Sequence, residues 1–376
     1  MYTRFQDNDT VTRQAQELVT STWSNNTNNL TVAFTSSVQA VFTSPTSSGQ
    51  FFIDVYDKPV QSGTSYTADT TTEVQYSVAF GHRAGSGSPD FTNDTGSFGL
   101  SSTRTTYNQY RQLHFNDDTK FFTFGTHTPD SIYVININRA RYKQRLTLGS
   151  LNLIISGNNS ELTAHGGAGS GQSLIHLTDD SVTNTTAAGT SVSLGPYYNI
   201  VSGTNGVVLS GTTATTQLKE TGSYGFLYPE AGLIILNGEA FGNTLSPRPA
   251  GTGLPTNTDR FHQRLVRHIS CDGNTISVGA VAQYTGSFIV DSTEEINSEF
   301  YFCRARNDQF NYTNNESFVD ASKNIRFETM KLNPKVFITT VGLYNDAFEL
   351  LAVAKLSQPV AKDFTKEALI RVKLDY

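Results

Sequence analysis

Tyr224-Gly225-Phe226-Leu227-Tyr228-Pro229-Glu230-Ala231-Gly232-Leu233-Ile234-Ile235-Leu236-Asn237 holds two apolar runs of strand length around a short polar break. Pro229 has no amide hydrogen to give to a ladder, and Gly232 can take the left-handed backbone that a tight return needs. The spacing predicts a β-hairpin. The second run, Leu233-Ile234-Ile235-Leu236, is apolar without alternation, the pattern of a strand covered on both faces.

Working outward, the same grammar recurs along the chain. Upstream lie Thr31 to Phe34, Phe51 to Tyr56, Glu73 to Phe80, Ser131 to Ile137, Leu151 to Ile155, Leu174 to Leu177, Tyr197 to Val201 and Gly206 to Leu209. Gly, Ser, Thr and Pro clusters separate them, which is the punctuation of antiparallel strands. Downstream, Val336 to Tyr344, a turn at Asn345-Asp346, Leu350 to Leu356 and Ala368 to Leu374 read in one of two ways. They form either a three-stranded meander or a hairpin plus a strand that joins another sheet.

The expected fold is therefore mainly β, with β-sandwich-like domains, a few short helices and more than one domain. Helices are expected at Thr10 to Trp23, where Val11, Ala15, Leu18, Val19, Thr22 and Trp23 fall near one helical face; from Asn138 to Leu146, stopping at Gly149; and from Phe261 to Ile269. The boundaries read as an N-terminal arm over 1–28, an N-terminal β-rich domain over 29–130, a middle β-rich domain with Gly/Ser/Thr-rich loops over 131–257, and a C-terminal α+β region ending in a β-meander over 258–376.

The chain has 376 residues, enough to bury a large core without disulfides or metal. Charged residues are 16% of it, against about a quarter in an ordinary soluble protein, and the net charge is -6. That balance is too mild to indicate a nucleic-acid binder. No run approaches the roughly 18 apolar residues of a membrane-crossing helix. The opening Met1 to Asp7 is polar and lacks the apolar centre of a secretory signal, so folding in a cytoplasm is expected. Cys271 and Cys303 have no CxxC partner, the pattern of reduced, partly buried thiols.

Chemistry-bearing motifs are weak. Gly166-Gly167-Ala168-Gly169-Ser170-Gly171-Gln172-Ser173 has P-loop spacing but puts Gln172 where the phosphate-binding lysine belongs, so a flexible glycine loop is the better reading. Asp179-Asp180 reads as a turn with self-capping carboxylates. The seven histidines include no i, i+4 pair with an intervening glutamate, and His262 and His268 would point to opposite sides of a helix. No Gly-x-Ser-x-Gly nucleophile elbow occurs.

Two groups of side chains remain as candidate subunit contacts. Leu18, Val19 and Trp23 give the N-terminal arm an apolar patch to dock. Arg139, Arg141, Lys143 and Arg145 alternate, and on a strand would form one basic stripe able to meet phosphates or, in better accord with the mild net charge, an acidic protein surface; around a helix they would spread over about three-quarters of the circumference as a solvated face. The 24 Phe and 17 Tyr, beside a single Trp, suit β-cores and stable subunit contacts alike.

A further set of blocks runs over most of the chain: Phe52 to Asp57, Glu73 to His82 with Gly85 to Ser88, Tyr107 to Arg111, Tyr133 to Lys143, Tyr228 to Leu236, Glu295 to Ala305, Phe310 to Thr313, Thr339 to Asp346 and Glu349 to Ser357. Together they resemble structural proteins of contractile-tailed phages, in particular baseplate-associated virion proteins of the T4-like marine cyanophages. The resemblance implies a virion component of the tail or baseplate, assembled in the host cytoplasm. It implies other tail or baseplate subunits as partners, in repeated symmetric copies, with neither nucleic-acid binding nor membrane insertion. It supplies no catalytic residue, cofactor or metal ligand, so a non-enzymatic baseplate assembly protein, wedge or peripheral, is expected. The alternative is a tail-fibre or receptor-binding component that touches host surface polysaccharide.

Overall fold

A computed structural model describes residues 3–5, 9–23, 29–30, 34–35, 52–57, 73–86, 102–157, 173–208, 224–241, 265–266, 269, 287–313 and 315–375. The fold is mainly β. The chain divides into two compact units, one made of 1–18 with 295–376 and the other of 19–294.

In chain order the strands are β1 (Thr10–Ser21), β2 (Asn29–Leu30), β3 (Phe34–Thr35), β4 (Phe52–Tyr56), β5 (Val74–His82), β6 (Ser131–Ile137), β7 (Arg145–Leu146), β8 (Asn152–Gly157), β9 (Ser173–Asp179) and β10 (Gly189–Ser191). They continue with β11 (Gly195–Thr204), β12 (Val207–Val208), β13 (Gly225–Tyr228), β14 (Leu233–Asn237), β15 (Ser287–Ile289), β16 (Asp291–Ala305), β17 (Val336–Tyr344), β18 (Leu350–Lys362) and β19 (Ala368–Asp375). The helix α1 spans Ser102–Phe115.

The larger unit is built on a 13-stranded sheet in the order β2-β15-β8-β9-β11-β13-β14-β6-β5-β4-β3, with β10 and β12 attached to β11. The expected hairpin is there: Tyr228 pairs with Leu233 and Gly225 with Leu236. Gly232 closes it at φ +63, and a Cβ there would lie 2.5 Å from Tyr142 Cε1, so the position demands glycine twice over. Tyr76 on β5 and Phe288 on β15 lie far apart in sheet order, yet their rings meet edge-on at 5.2 Å. The sheet therefore curls back on itself, and Tyr76, Val78, Ile135, Leu153, Leu177, Leu227, Ile234 and Phe288 share one buried cluster. Each fully buried aliphatic or Phe side chain there contributes about 1.5–3 kcal/mol relative to exposure.

The outer face of β6, β13 and β14 is covered as well. Ile132, Val134, Phe226, Tyr228, Leu233 and Ile235 pack with Tyr107 of α1 and with Phe122 and Phe124. Both faces of β14 are thus buried, which is why its sequence does not alternate. Gly81 admits the helix: a Cβ on it would come within 2.9 Å of the Tyr107 backbone nitrogen.

In the smaller unit β16 lies between β1 and β19, with Ser298 to Ala305 pairing antiparallel to Asp375 to Ala368. The strands β17 and β18 form a separate two-stranded ribbon. The C-terminal strand therefore joins β16 and does not complete a meander with β18, so the second of the two sequence readings is the observed one.

Two helix expectations are corrected. Thr10 to Ser21 is the strand β1, because it is an edge partner of β16 and its helical spacing of apolar residues buries no face: Val11, Ala15, Leu18 and Val19 are all exposed. Arg139 to Leu146 is one turn of 3-10 helix at Arg139–Arg141, capped by the Asn138 side chain, which then runs extended into β7. The expected helix at 261–269 falls mostly outside the described residues; Leu265, Val266 and Ile269 within it are helical and buried. Among the described residues no helix is long and apolar enough to cross a membrane.

Candidate functional site

The ribbon β17–β18 carries one of the runs of exposed apolar side chains in the smaller unit, where Leu332 and Leu369 are exposed as well. Strand alternation sends Val341 and Leu343 to one face, opposite Ala354 and Ala352, and these pack against Ile370, Val372 and Leu374 of β19 with Tyr301 and Cys303 of β16. The other face carries Phe337, Leu350, Leu351 and Val353, with Leu351 67% and Val353 58% exposed. Tyr344 and Leu350 lie over Gly342, whose missing side chain leaves them room.

The turn between the strands is fixed by local hydrogen bonds. Asn345 Oδ1 accepts from the Glu349 amide at 2.8 Å, Asn345 Nδ2 donates to Glu349 Oε2 at 2.7 Å, and Phe348 adopts a left-handed φ of 64°. The turn therefore holds a largely exposed Phe348 beside Leu350 at the ribbon tip. Further down, the register shifts between Ile338 and Thr340, where β18 bulges through Leu356 to Pro359, a place a strand tolerates proline. Among the described residues β17 and β18 pair only with each other, so each keeps an open edge.

Adjoining exposed apolar side chains and open strand edges are features that natural proteins suppress on surfaces that must stay solitary. Burying a Leu, Val or Phe fully yields about 1.5–3 kcal/mol. Association costs about 4–15 kcal/mol in lost rigid-body freedom. The four side chains of the outer face supply a gain of the same order as that cost, and backbone hydrogen bonds along an open edge add to it.

The sequence candidates fall elsewhere. Leu18 and Val19 are exposed on β1. Trp23 is 2% exposed and sits in the core of the larger unit, its Nε1 donating to the Phe288 carbonyl at 2.8 Å, so it offers no surface to a neighbour. The basic residues are engaged within the chain: Arg139 lies over the Tyr142 ring and donates to its carbonyl, Arg141 Nη1 pairs with Glu73 at 2.6 Å, Lys143 lies 3.9 Å from Glu294, and Arg145 pairs in β7 with Thr293 of β16. They form no common stripe, because the 3-10 turn rotates Arg139 and Arg141 away from the extended Arg145.

Among the motifs, Gly166 to Gln172 lies outside the described residues, as do His165, His262, His268 and Cys271. Asp179 ends β9 and Asp180 opens the turn after it, but their carboxylates mostly reach beyond that turn: Asp179 Oδ2 accepts from the remote Gly149 amide as well as the Ser181 hydroxyl, and Asp180 Oδ1 from the Asn199 amide of β11. Burial pushes the Asp179 carboxyl up from the usual range. Among the described residues no group of three His, Cys, Asp or Glu side chains is arranged to hold a metal.

Two clusters escaped sequence reading. His127 Nε2 meets Glu239 Oε2 at 2.8 Å while Glu239 Oε1 accepts from the Asp130 amide, tying the turn after β14 to the entry of β6. His114 is buried among Phe115, Phe122, Tyr197, Phe226 and Tyr228. Burial pushes its imidazole down to about 4. Both depend on partners far away in the chain, so no local spacing announces them.

No protein-family model, no curated protein and no solved structure matches this chain.

Proposed function

We propose that this chain is a structural component of a phage contractile tail, a baseplate subunit of wedge or peripheral position that joins neighbouring subunits. The observation that carries the reading is the β17–β18 ribbon, with one face packed on its own unit and the other presenting Phe337, Leu350, Leu351 and Val353 beside two open edges. Such a surface suits edge-to-edge or face-to-face docking of subunits in repeated copies. Two of the sequence blocks that resemble baseplate proteins, Thr339 to Asp346 and Glu349 to Ser357, fall on this ribbon. Val11, Leu18 and Val19 on β1 are exposed as well.

The test is incorporation. Tail particles assembled with the native chain should contain it, and the double variant Leu351→Asp, Val353→Asp should stay in the unassembled fraction while keeping the native circular dichroism spectrum. Full incorporation of that variant contradicts the reading. Binding of the isolated chain to host surface polysaccharide, with no subunit partner, favours a receptor-binding component instead.

A further inference from the structure

Lys362 ends β18 and is 0% exposed. A buried lysine is ordinarily matched by a carboxylate, because an unpaired buried charge carries a penalty of several kcal/mol. Among the described residues Lys362 has none. Its Nζ donates to Asn311 Oδ1 at 2.7 Å and to the Asn307 carbonyl oxygen at 3.2 Å, leaving three ammonium protons with two neutral acceptors. Asp363, the next residue, turns Oδ1 to the amide and hydroxyl of Thr365 and makes no ion pair with Lys362.

The asparagine is held as firmly as the lysine. Asn311 Nδ2 donates to the Asn307 carbonyl at 2.7 Å, and Asn307 Nδ2 in turn donates to the Phe364 carbonyl at 2.9 Å. Phe310, just before it, sits at a left-handed φ of 55°, a backbone that a bulky side chain adopts only under constraint. The hydrogen bond from Nζ to Oδ1 sets the lysine nitrogen directly beside the Asn311 side-chain amide.

We propose that Lys362 and Asn311 join through an intramolecular amide bond, Nζ to Cγ. The Nζ–Cγ bond forms and the Cγ–Nδ2 bond breaks. The departing nitrogen leaves as ammonium, taking its own two hydrogens and two released by the lysine ammonium, so charge and atoms balance without oxidant, reductant or co-substrate. Nζ attacks as the neutral amine, so one ammonium proton first passes to solvent and the hydrogen bond to Oδ1 opens to turn the lone pair towards Cγ. The Asn307 carbonyl lies within hydrogen-bond reach of both the nitrogen that gives up protons and the nitrogen that takes them. The reaction is driven by removal of an uncompensated buried charge and its replacement by a neutral amide. The link closes a loop between positions 311 and 362 and pins the base of the ribbon, at the Val336 to Lys362 pair, to the segment that follows β16. It stands independently of the proposed function.

The test is the intact mass of the folded full-length chain, followed by tryptic peptide mapping. The expected result is a mass lower than the sequence mass by one ammonia, and a branched peptide joining the fragment with Asn311 to the fragment with Lys362. Lys362→Met and Asn311→Ala should each restore the full mass, abolish the branched peptide and lower the Tm. A full sequence mass after prolonged incubation of the folded native chain overturns the proposal. So does loss of one ammonia with no branched peptide, since a backbone succinimide loses the same mass. The native chain alone decides the matter, whatever the variants' folding.

Discussion

His114 and Tyr228 share one buried hydrogen bond, Tyr228 Oη to His114 Nδ1 at 2.8 Å, that ties the last turn of α1 to β13. A neutral imidazole can accept that proton at Nδ1; a protonated one cannot. The phenol is pushed up by the same burial, so it stays a donor throughout the ordinary pH range.

The pH dependence follows from the sign of the shift. His114 titrates near 6.5 when unfolded and is held down to about 4 when folded. Between those values the unfolded chain binds the extra proton, so this group's stability contribution is complete above about 6.5 and falls away as pH drops towards 4. Thermal melts of the native chain should show Tm declining across that window. His114→Gln, which removes the titration and keeps an acceptor, should flatten the decline; an unchanged slope would refute the assignment.

Trp23 packs at 4.9 Å from the Phe288 ring and 5.9 Å from Tyr76. Trp23→Ala should lower unfolding free energy by about 3–5 kcal/mol, the usual cost of emptying an aromatic core site. Trp23 is also the chain's single tryptophan, so native emission should be blue-shifted and should move to the red on denaturation. A solvent-like native spectrum is the contrary outcome.

Gly81 sets the approach of α1 to β5. Gly81→Val should cost about 1–3 kcal/mol, because the backbone at Tyr107 has to move away from the added side chain. Denaturant titration reads the loss directly, and a midpoint unchanged from the native chain counts against the packing described.

What was legible in the sequence is what is locally encoded. The hairpin from Gly225 to Asn237 could be read because its turn residues and both strands are contiguous, and the turn at Asn345-Asp346 for the same reason. The strand β1 was misread because, with both faces largely exposed, its side chains obey neither a two-residue nor a helical rule of burial. The helix α1 was missed because its buried side is Tyr107 and His114, two turns apart and both polar-tipped, in an otherwise polar run. The basic residues suggested a surface stripe only because Glu73 and Glu294, their partners, are remote in the chain. The exposed ribbon face was not legible for a related reason: Leu351 and Val353 look like any core residues until the partner of β18 is known.

The central claim is that the outer ribbon face exists for a neighbour and not for the fold. Leu351→Asp with Val353→Asp should change unfolding free energy by no more than about 1 kcal/mol, about 0.5 kcal/mol for each exposed position, while abolishing incorporation into assembled tails. On the proposed tail role, the deciding measurement is the ratio of this chain to known tail proteins in purified particles assembled with the double variant. The account predicts a ratio near zero with the free chain still folded; a native ratio contradicts it.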